Sequence, residues 1–290
     1  SRVRVYDSLR QSHTGQGSAV TALRVRKTAD PRNLIRFVPA KGVDDATPVP
    51  DRRRCCSFMA IATHALVVAD GDVDLPLLQA LAEAEPVMLI AADGGAVRVL
   101  EAGLVPALVV GDFDSLPDRH RTHLESLGVE LRMARVDKDE SDMELCLLAA
   151  LEAEATRITL VGALGLVRPE HSVANLLLLA DPRLDGVAVA IASRGSRITR
   201  IGTADGPGEI EIEGDHGDFV SLLPLGEAAE GVTTVGLRFG LADETLPLGP
   251  SRGLSNELLE RPARVTTRRG RLLVIHTRRS TAGASPTGGT

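Results

Sequence analysis

The sequence predicts an α/β protein in two parts, a parallel-sheet α/β domain followed by an antiparallel β-sandwich domain. Three observations carry this reading. From about residue 65 to 193, short apolar runs alternate with stretches of helical period, as in parallel βαβ units with helices on both faces. After about residue 196 the rhythm shifts to short Thr/Val/Ile-rich segments separated by glycine. The chain has 290 residues, of which 43% are hydrophobic and 25% charged, enough to bury a core in one large domain or two modest ones.

The elements follow in order. "ALVVAD" reads as a buried strand and "VDLPLLQALAEA" as an amphipathic helix. "VMLIAAD" is a second strand, "GAVRVLEAG" a short helix and "ALVVGD" a third strand. "LPDRHRTHLESLG" is a helix, "VELRMA" a strand and "SDMELCLLAALEAE" a helix. "RITLVGA", "HSVANLLLLA" and "VAVAIAS" complete the alternation as strand, helix and strand. The later strands are "SRITRIG", "GEIEIEG", "DFVSLLPL", "GVTTVGLRF", "ARVTTRRG" and "RLLVIHT".

The boundaries come from changes in composition. Residues 1–58 show no sustained period and hold 12 Lys+Arg against 5 Asp+Glu, a formal +7. They read as a disordered extension rather than a nucleic-acid-binding arm, with Met59 as the expected functional start. Residues 59–195 form the expected α/β domain and 196–280 the β-sandwich. Residues 281–290, within "STAGASPTGGT", form a low-complexity tail. The body beyond residue 58 holds 21 Lys+Arg against 34 Asp+Glu, or −13, which argues against bulk nucleic-acid binding. No apolar run is long enough for a transmembrane helix, and no signal peptide is evident. The three cysteines, Cys55, Cys56 and Cys146, match no zinc spacing or disulfide framework, so a cytoplasmic location is expected.

The carboxylates sit at strand ends. Asp70, Asp93 and Asp112 close the first three strands, where an open parallel sheet places its ligand crevice. In "GDFDS", an extended backbone would put Asp112 and Asp114 on one side and Phe113 on the other. Two carboxylates with no cation between them call for a divalent ion, and Mg²⁺ suits carboxylate oxygens together with substrate phosphates. A second cluster, "VDKDESDMELC", sets Asp137, Asp139 and Asp142 around Lys138, the one lysine from Met59 onward. A compact ammonium there suits a phosphate oxygen. The bland reading is a capping box: Ser141 followed by Glu144 explains Glu144 and part of Asp142, but not Asp137 and Asp139. In "ADGGA", Gly94 and Gly95 let backbone N–H groups approach an anion, although such a turn alone is weak evidence. Neither a Walker A motif nor a dinucleotide fingerprint is present.

"ADGGA", "GDFDS" and "DKDESDME", in this order, together with "GLRFGLADETLPLGPSRGLSNEL", resemble the thiamine pyrophosphokinase (thiamine diphosphokinase) family. The resemblance spans about residues 65 to 276 and ends in the G-x-S-N-E signature at Gly253, Ser255, Asn256 and Glu257. It implies an Mg²⁺-dependent enzyme that moves the pyrophosphoryl group of ATP to thiamine, giving thiamine diphosphate and AMP. It also implies a homodimer with each site between one subunit's α/β domain and the other's β domain. Asp112, Asp114, Asp139 and Asp142 are then the catalytic acids, with Asp112, Asp114 and Asp137 on the metal. Asp93, Gly94, Gly95, Lys138, Arg168 and His171 fall on the ATP side, and Ser255 and Asn256 on the thiamine side. A hydroxyl and an amide suit an aminopyrimidine, while the bland alternative is a turn in which Ser255 caps "NELLE". One motif departs from the family pattern: "GALGLVRPEHSVAN" carries one residue more than G-A-x-G-G-R-x-D-H-x-x-A-N, with Glu170 in place of Asp. With no Trp and 5 Phe in the chain, an aromatic contact to the pyrimidine falls to Phe239 or to aliphatic residues. The alternatives are a pyrophosphokinase acting on another alcohol, such as a pterin, and a diverged, non-catalytic thiamine- or nucleotide-binding protein.

Overall fold

The computed structural model describes residues 4–6, 63–165 and 167–279. The expectations for the rest of 1–58 and for 281–290 lie outside the described residues. Arg4–Tyr6 (β1) pairs in parallel with Glu130–Ala134 (β5), a strand that the aperiodic sequence did not announce.

The α/β part contains β2 (Thr63–Val68), α1 (Leu75–Ala84), β3 (Val87–Ala92), α2 (Gly95–Glu101) and β4 (Leu108–Gly111). It continues with α3 (Asp118–Ser126), β5, α4 (Asp142–Glu152), β6 (Ala155–Val161), α5 (Pro169–Leu178) and β7 (Ala188–Ser193). A short 3-10 turn at Pro182–Leu184, absent from the sequence reading, precedes β7. Caps explain two helix starts. Asp74 accepts from Leu77 N–H at 3.0 Å, and Ser141 accepts from Glu144 N–H at 3.1 Å. The side chain of Glu144 turns instead to Arg183, at 2.6 Å.

Strands β5-β4-β3-β2-β6-β7 lie parallel, and side chains alternate between the two faces. Leu66, Leu89 and Val109 share a core with α1, α2 and α3. Ala65, Ile90 and Leu108 join α4 in the core on the other face. Fully burying side chains such as Leu66, Ile90 and Leu160 stabilises by about 1.5–3 kcal/mol each.

The later part contains β8 (Ser196–Ile201), β9 (Gly208–Ile212), β10 (Phe219–Val235), β11 (Glu244–Leu246), β12 (Asn256–Glu257), β13 (Ala263–Thr267) and β14 (Arg269–Thr277). Two of the expected strands, "DFVSLLPL" and "GVTTVGLRF", merge into β10, whose register shifts between Leu225 and Glu230. Its first half pairs with β14 and its last residues with β13. The sheet does not stop at residue 195. It continues through β8, β14 and β10, with β8 antiparallel to β7. Leu225 and Leu273 face the α/β core, whereas Val220, Leu222, Leu272 and Val274 face a third core inside the β part. Strict period-two alternation thus lets one set of strands serve both cores.

Buried polar groups mark the seams. His64 is 5% exposed; its Nε2 lies 2.9 Å from Thr159 Oγ1 and its Nδ1 3.1 Å from Glu85 Oε1. Burial, assisted by Arg157, holds the His64 pKa below its ordinary 6.5. Above the unfolded value both states are neutral and the histidine costs nothing. Below it the unfolded chain takes up a proton that the folded one resists, so stability falls. The urea midpoint is therefore expected to drop on going from pH 7.5 to pH 5.5, and His64→Gln should flatten part of that slope. Equal slopes in the two proteins would contradict the assignment.

Candidate active site

The parallel strands run outward from β2 in both directions, β3 on one side and β6 on the other, so the topological switch point lies between β2 and β6. The loops at that point are tied together. Gly71 N–H donates to Gly162 O at 3.0 Å and Asp72 N–H to Leu164 O at 2.8 Å. Next to them, beyond the ends of β3 and β4, Asp93, Asp112 and Asp114 each offer a carboxylate oxygen within 4.8 Å of the others.

The convergence depends on backbone shape. Asp93 has φ 42° and Phe113 φ 64°, the left-handed region that L-residues adopt at a cost of order 1–3 kcal/mol. Phe113 is therefore not extended, which corrects the alternation argument for "GDFDS". A tight turn, closed by Asp114 N–H donating to Asp112 Oδ1 at 3.3 Å, brings the two acids together. The buried Phe113 ring anchors this turn in the core beside α1–α3. Gly111 is required by close approach, since a Cβ there would lie 2.8 Å from the Cβ of Asp93.

Asp93 is 6% exposed. One oxygen accepts from Ser115 N–H at 3.1 Å, and the other, Oδ1, is buried without a hydrogen-bond partner. Burial, together with the charges of Asp114 and Asp142, pushes its pKa up to about 6 against the pull of the Ser115 N–H. The Asp114 pKa moves down, held first by the Ser115 hydroxyl, which donates to Asp114 Oδ1 at 2.9 Å. Three carboxylates, one with an orphaned buried oxygen, fit a hard divalent cation such as Mg²⁺.

The other expected residues divide. Lys138 donates to Asp142 Oδ1 at 2.7 Å, and both lie close enough to perturb the cluster electrostatically. The structure does not bring Asp137 into the cluster: it is exposed and doubly bonded to Arg135 at 2.8 and 2.7 Å, which holds its pKa low. Asp139 lines a shallow apolar groove with Ser141, Ala174 and Leu177. Gly94 and Gly95 start α2; a Cβ on Gly95 would fall 2.2 Å from Val68 O, so its first duty is to let the helix sit on β2. Arg168 is exposed and bonds Glu170 at 2.8 Å, with exposed His171 next to it at the start of α5. Sequence reasoning passed over Ser172, whose hydroxyl both accepts from Gly165 N–H and donates to Gly165 O at 2.8 Å. It pins the loop that carries Arg168, a Ser-to-backbone contact that no motif flags.

In the β part, Ser255 is exposed with φ 57° and donates its N–H to Ser221 Oγ at 3.0 Å. Asn256 is 6% exposed, and its amide is spent on Phe239: Oδ1 accepts from Phe239 N–H at 2.9 Å and Nδ2 donates to Phe239 O at 2.7 Å. The expected presentation of that amide to a ligand is not the arrangement seen.

Two family models match the chain. One, described as "Thiamin pyrophosphokinase, catalytic domain", covers residues 79–191, and the other, "Thiamin pyrophosphokinase, vitamin B1 binding domain", covers residues 209–272. The chain belongs to the thiamine pyrophosphokinase family. The first match holds the acid cluster and the second holds Phe239, Ser255 and Asn256. The chain is 29% identical over 192 residues to the thiamine pyrophosphokinase of Bacillus subtilis (strain 168), covering 66% of this chain and 87% of that one. It is 27% identical over 230 residues to thiamine pyrophosphokinase 1 of Oryza sativa subsp. japonica, covering 72% and 85%. Among solved structures, the Bacillus subtilis thiamine pyrophosphokinase aligns with TM-score 0.66 at 26% identity, over 75% of this chain and all of that chain. A thiamin pyrophosphokinase family protein from Enterococcus faecalis aligns with TM-score 0.62 at 27% identity, over the same shares. Members of the family thus share both parts of this fold, and no helix among the described residues is long and apolar enough to cross a membrane.

Proposed function

We propose that this thiamine pyrophosphokinase family member transfers the pyrophosphoryl group of ATP to the hydroxyl of thiamine, yielding thiamine diphosphate and AMP. The observation that carries the reading is the clustering of buried Asp93, one of whose oxygens has no partner, with Asp112 and Asp114 beyond the strand ends. Asp93, Asp112 and Asp114 would hold Mg²⁺, which when bound neutralises and orients the triphosphate oxygens. Lys138, held by Asp142, offers its ammonium to a phosphate oxygen. The thiamine oxygen attacks the β-phosphorus, the bond to the α,β-bridging oxygen breaks, AMP leaves, and the hydroxyl proton passes to Asp139 or Asp142. Phe239, with Arg238 placed 5.5 Å from its ring centroid, and the exposed Ser255 form the thiamine side.

The register supports a homodimer. One cross-strand row runs Ala91, Val68, Val161, Ala192, Arg197, His276, Val220, Asn256, so the thiamine side lies at the same sheet edge as the acids but seven strands away. At ~4.8 Å per strand that is roughly 34 Å along the sheet, beyond the reach of a two-ring vitamin. This separation along the sheet supports a site whose second half comes from another copy of the chain. The exposed apolar side chains of Val235, Phe239, Leu248, Leu254 and Leu259, all in the β part, support such an interface.

The test is an assay with ATP, Mg²⁺ and thiamine in which AMP and thiamine diphosphate are quantified separately. They should appear in equal amounts, and Asp112→Asn should cut turnover by about 100-fold or more with little change in melting temperature. AMP without thiamine diphosphate would overturn the acceptor, and near-normal turnover in the variant would overturn the metal assignment. Mixing Asp112→Asn with Phe239→Ala subunits should restore activity, because one site in each mixed dimer is intact. No recovery after demonstrated exchange would refute the shared site.

A further inference from the structure

We infer that Asn256 is a positioning residue: it fixes the backbone of Phe239, and so the aromatic face of the thiamine side, without itself touching the ligand. The inference rests on the proposed thiamine site for its consequence but on geometry for its substance. The segment 236–239 is laced to 256–259 through main-chain bonds. Arg238 N–H donates to Glu257 O at 2.9 Å, Leu259 N–H donates to Gly236 O at 2.8 Å, and Leu237 bridges Leu258. The next main-chain pair in that register, Phe239 with Asn256, is not made, because the Asn256 main chain pairs with Val220 of β10. The Asn256 side chain takes that place, offering its oxygen to the N–H and its amino group to the carbonyl of Phe239 at 2.9 and 2.7 Å. Its oxygen also accepts from Glu257 N–H at 2.9 Å, so both ends of the amide are engaged. Asn256 is 6% exposed while the Phe239 it holds is 61% exposed. A buried amide whose oxygen is filled by two main-chain N–H donors, and whose amino group holds the Phe239 carbonyl beneath an exposed ring, is a support. The Arg238 guanidinium shares the same frame, bonded to Glu257 Oε2 at 3.0 Å while it sits by the ring.

The chain contains no tryptophan, so Phe239→Trp provides a single indole at the position in question. Time-resolved anisotropy of that indole, without ligand and well below the melting transition, reads its local freedom directly. Adding Asn256→Ala to Phe239→Trp is expected to lower the residual anisotropy. Adding Asn256→Asp, which keeps the acceptor for Phe239 N–H but loses the donor, should give an intermediate value and guards against an alanine variant that folds poorly. Unchanged anisotropy in both would overturn the inference. In turnover, Asn256→Ala should raise KM for thiamine roughly tenfold, leave KM for ATP unchanged, and add nothing further in a Phe239→Ala background. Losses that multiply in the double variant would mean that Asn256 meets the ligand itself, which also overturns the inference. Absence of thiamine turnover in the unaltered protein would instead sink the proposed function, and the anisotropy would still decide the role of Asn256.

Discussion

Replacing Asp93 by asparagine is expected to stabilise the metal-free protein and abolish its activity together. Asp93 is buried, its Oδ1 lacks a partner, and its pKa is raised to about 6. A carboxyl raised in the folded state favours folding while it is protonated, and that benefit is lost as pH rises through the folded value. At pH 7 the ionised group therefore works against the fold, by about 3 kcal/mol for a rise of this size. An asparagine keeps the bond from Ser115 N–H and removes the charge. The melting temperature at pH 7 without divalent cations should rise by several degrees, at about 2–4 °C per kcal/mol for a chain of this length. The gain should vanish near pH 4, where the native carboxyl is protonated. Turnover should fall by about 100-fold or more, and the stabilisation that Mg²⁺ confers on the unaltered protein should disappear. A variant that melts lower at pH 7, or that is still stabilised by Mg²⁺ as before, would contradict the role given to Asp93.

Removing Asp185 should produce the largest loss of stability. Arg200 and Arg271, on adjacent strands β8 and β14, are 6% and 7% exposed and converge on this one carboxylate. Arg200 reaches Asp185 Oδ1 at 2.8 Å and Arg271 reaches Oδ2 at 2.7 Å. Arg200 also donates to the carbonyls of Leu184 and Val187 at 2.7 and 3.0 Å, which fastens the turn before β7 to the strands of the β part. Both Nε atoms are already without partners. Asp185→Ala would deprive two buried guanidinium groups of the one carboxylate that both contact, a cost of roughly 3–5 kcal/mol. The melting temperature should drop by about 10 °C, while Asp185→Asn, which keeps one acceptor, should lose less. A drop below about 3 °C in the alanine variant would show that the arginines find other partners or water.

The sequence by itself determined the alternation of strands and helices from residue 65 to 193, because period-two and period-3.6 burial leave their mark on neighbouring residues. It also placed Asp70, Asp93 and Asp112 at strand ends, since an apolar run that stops at a carboxylate marks where a strand leaves the core. The ordered motifs carried the family. What lay beyond sequence was set by contacts between distant segments. The convergence of Asp93 with Asp112 and Asp114 depends on left-handed backbone at Asp93 and Phe113, and residue identity does not announce that conformation for a phenylalanine. Asp137 and Asp142 sit in one acidic stretch, yet Arg135 takes the first outward and Lys138 ties the second beside the cluster. Asn256 looked like a ligand contact because an amide in a loop can serve either purpose, and only the pairing of residues 236–239 with 256–259 decides that it serves Phe239. The continuity of the sheet past residue 195 was hidden for the same reason. Alternation along a strand tells which side chains are buried, but which core receives them is settled by the strands on either side.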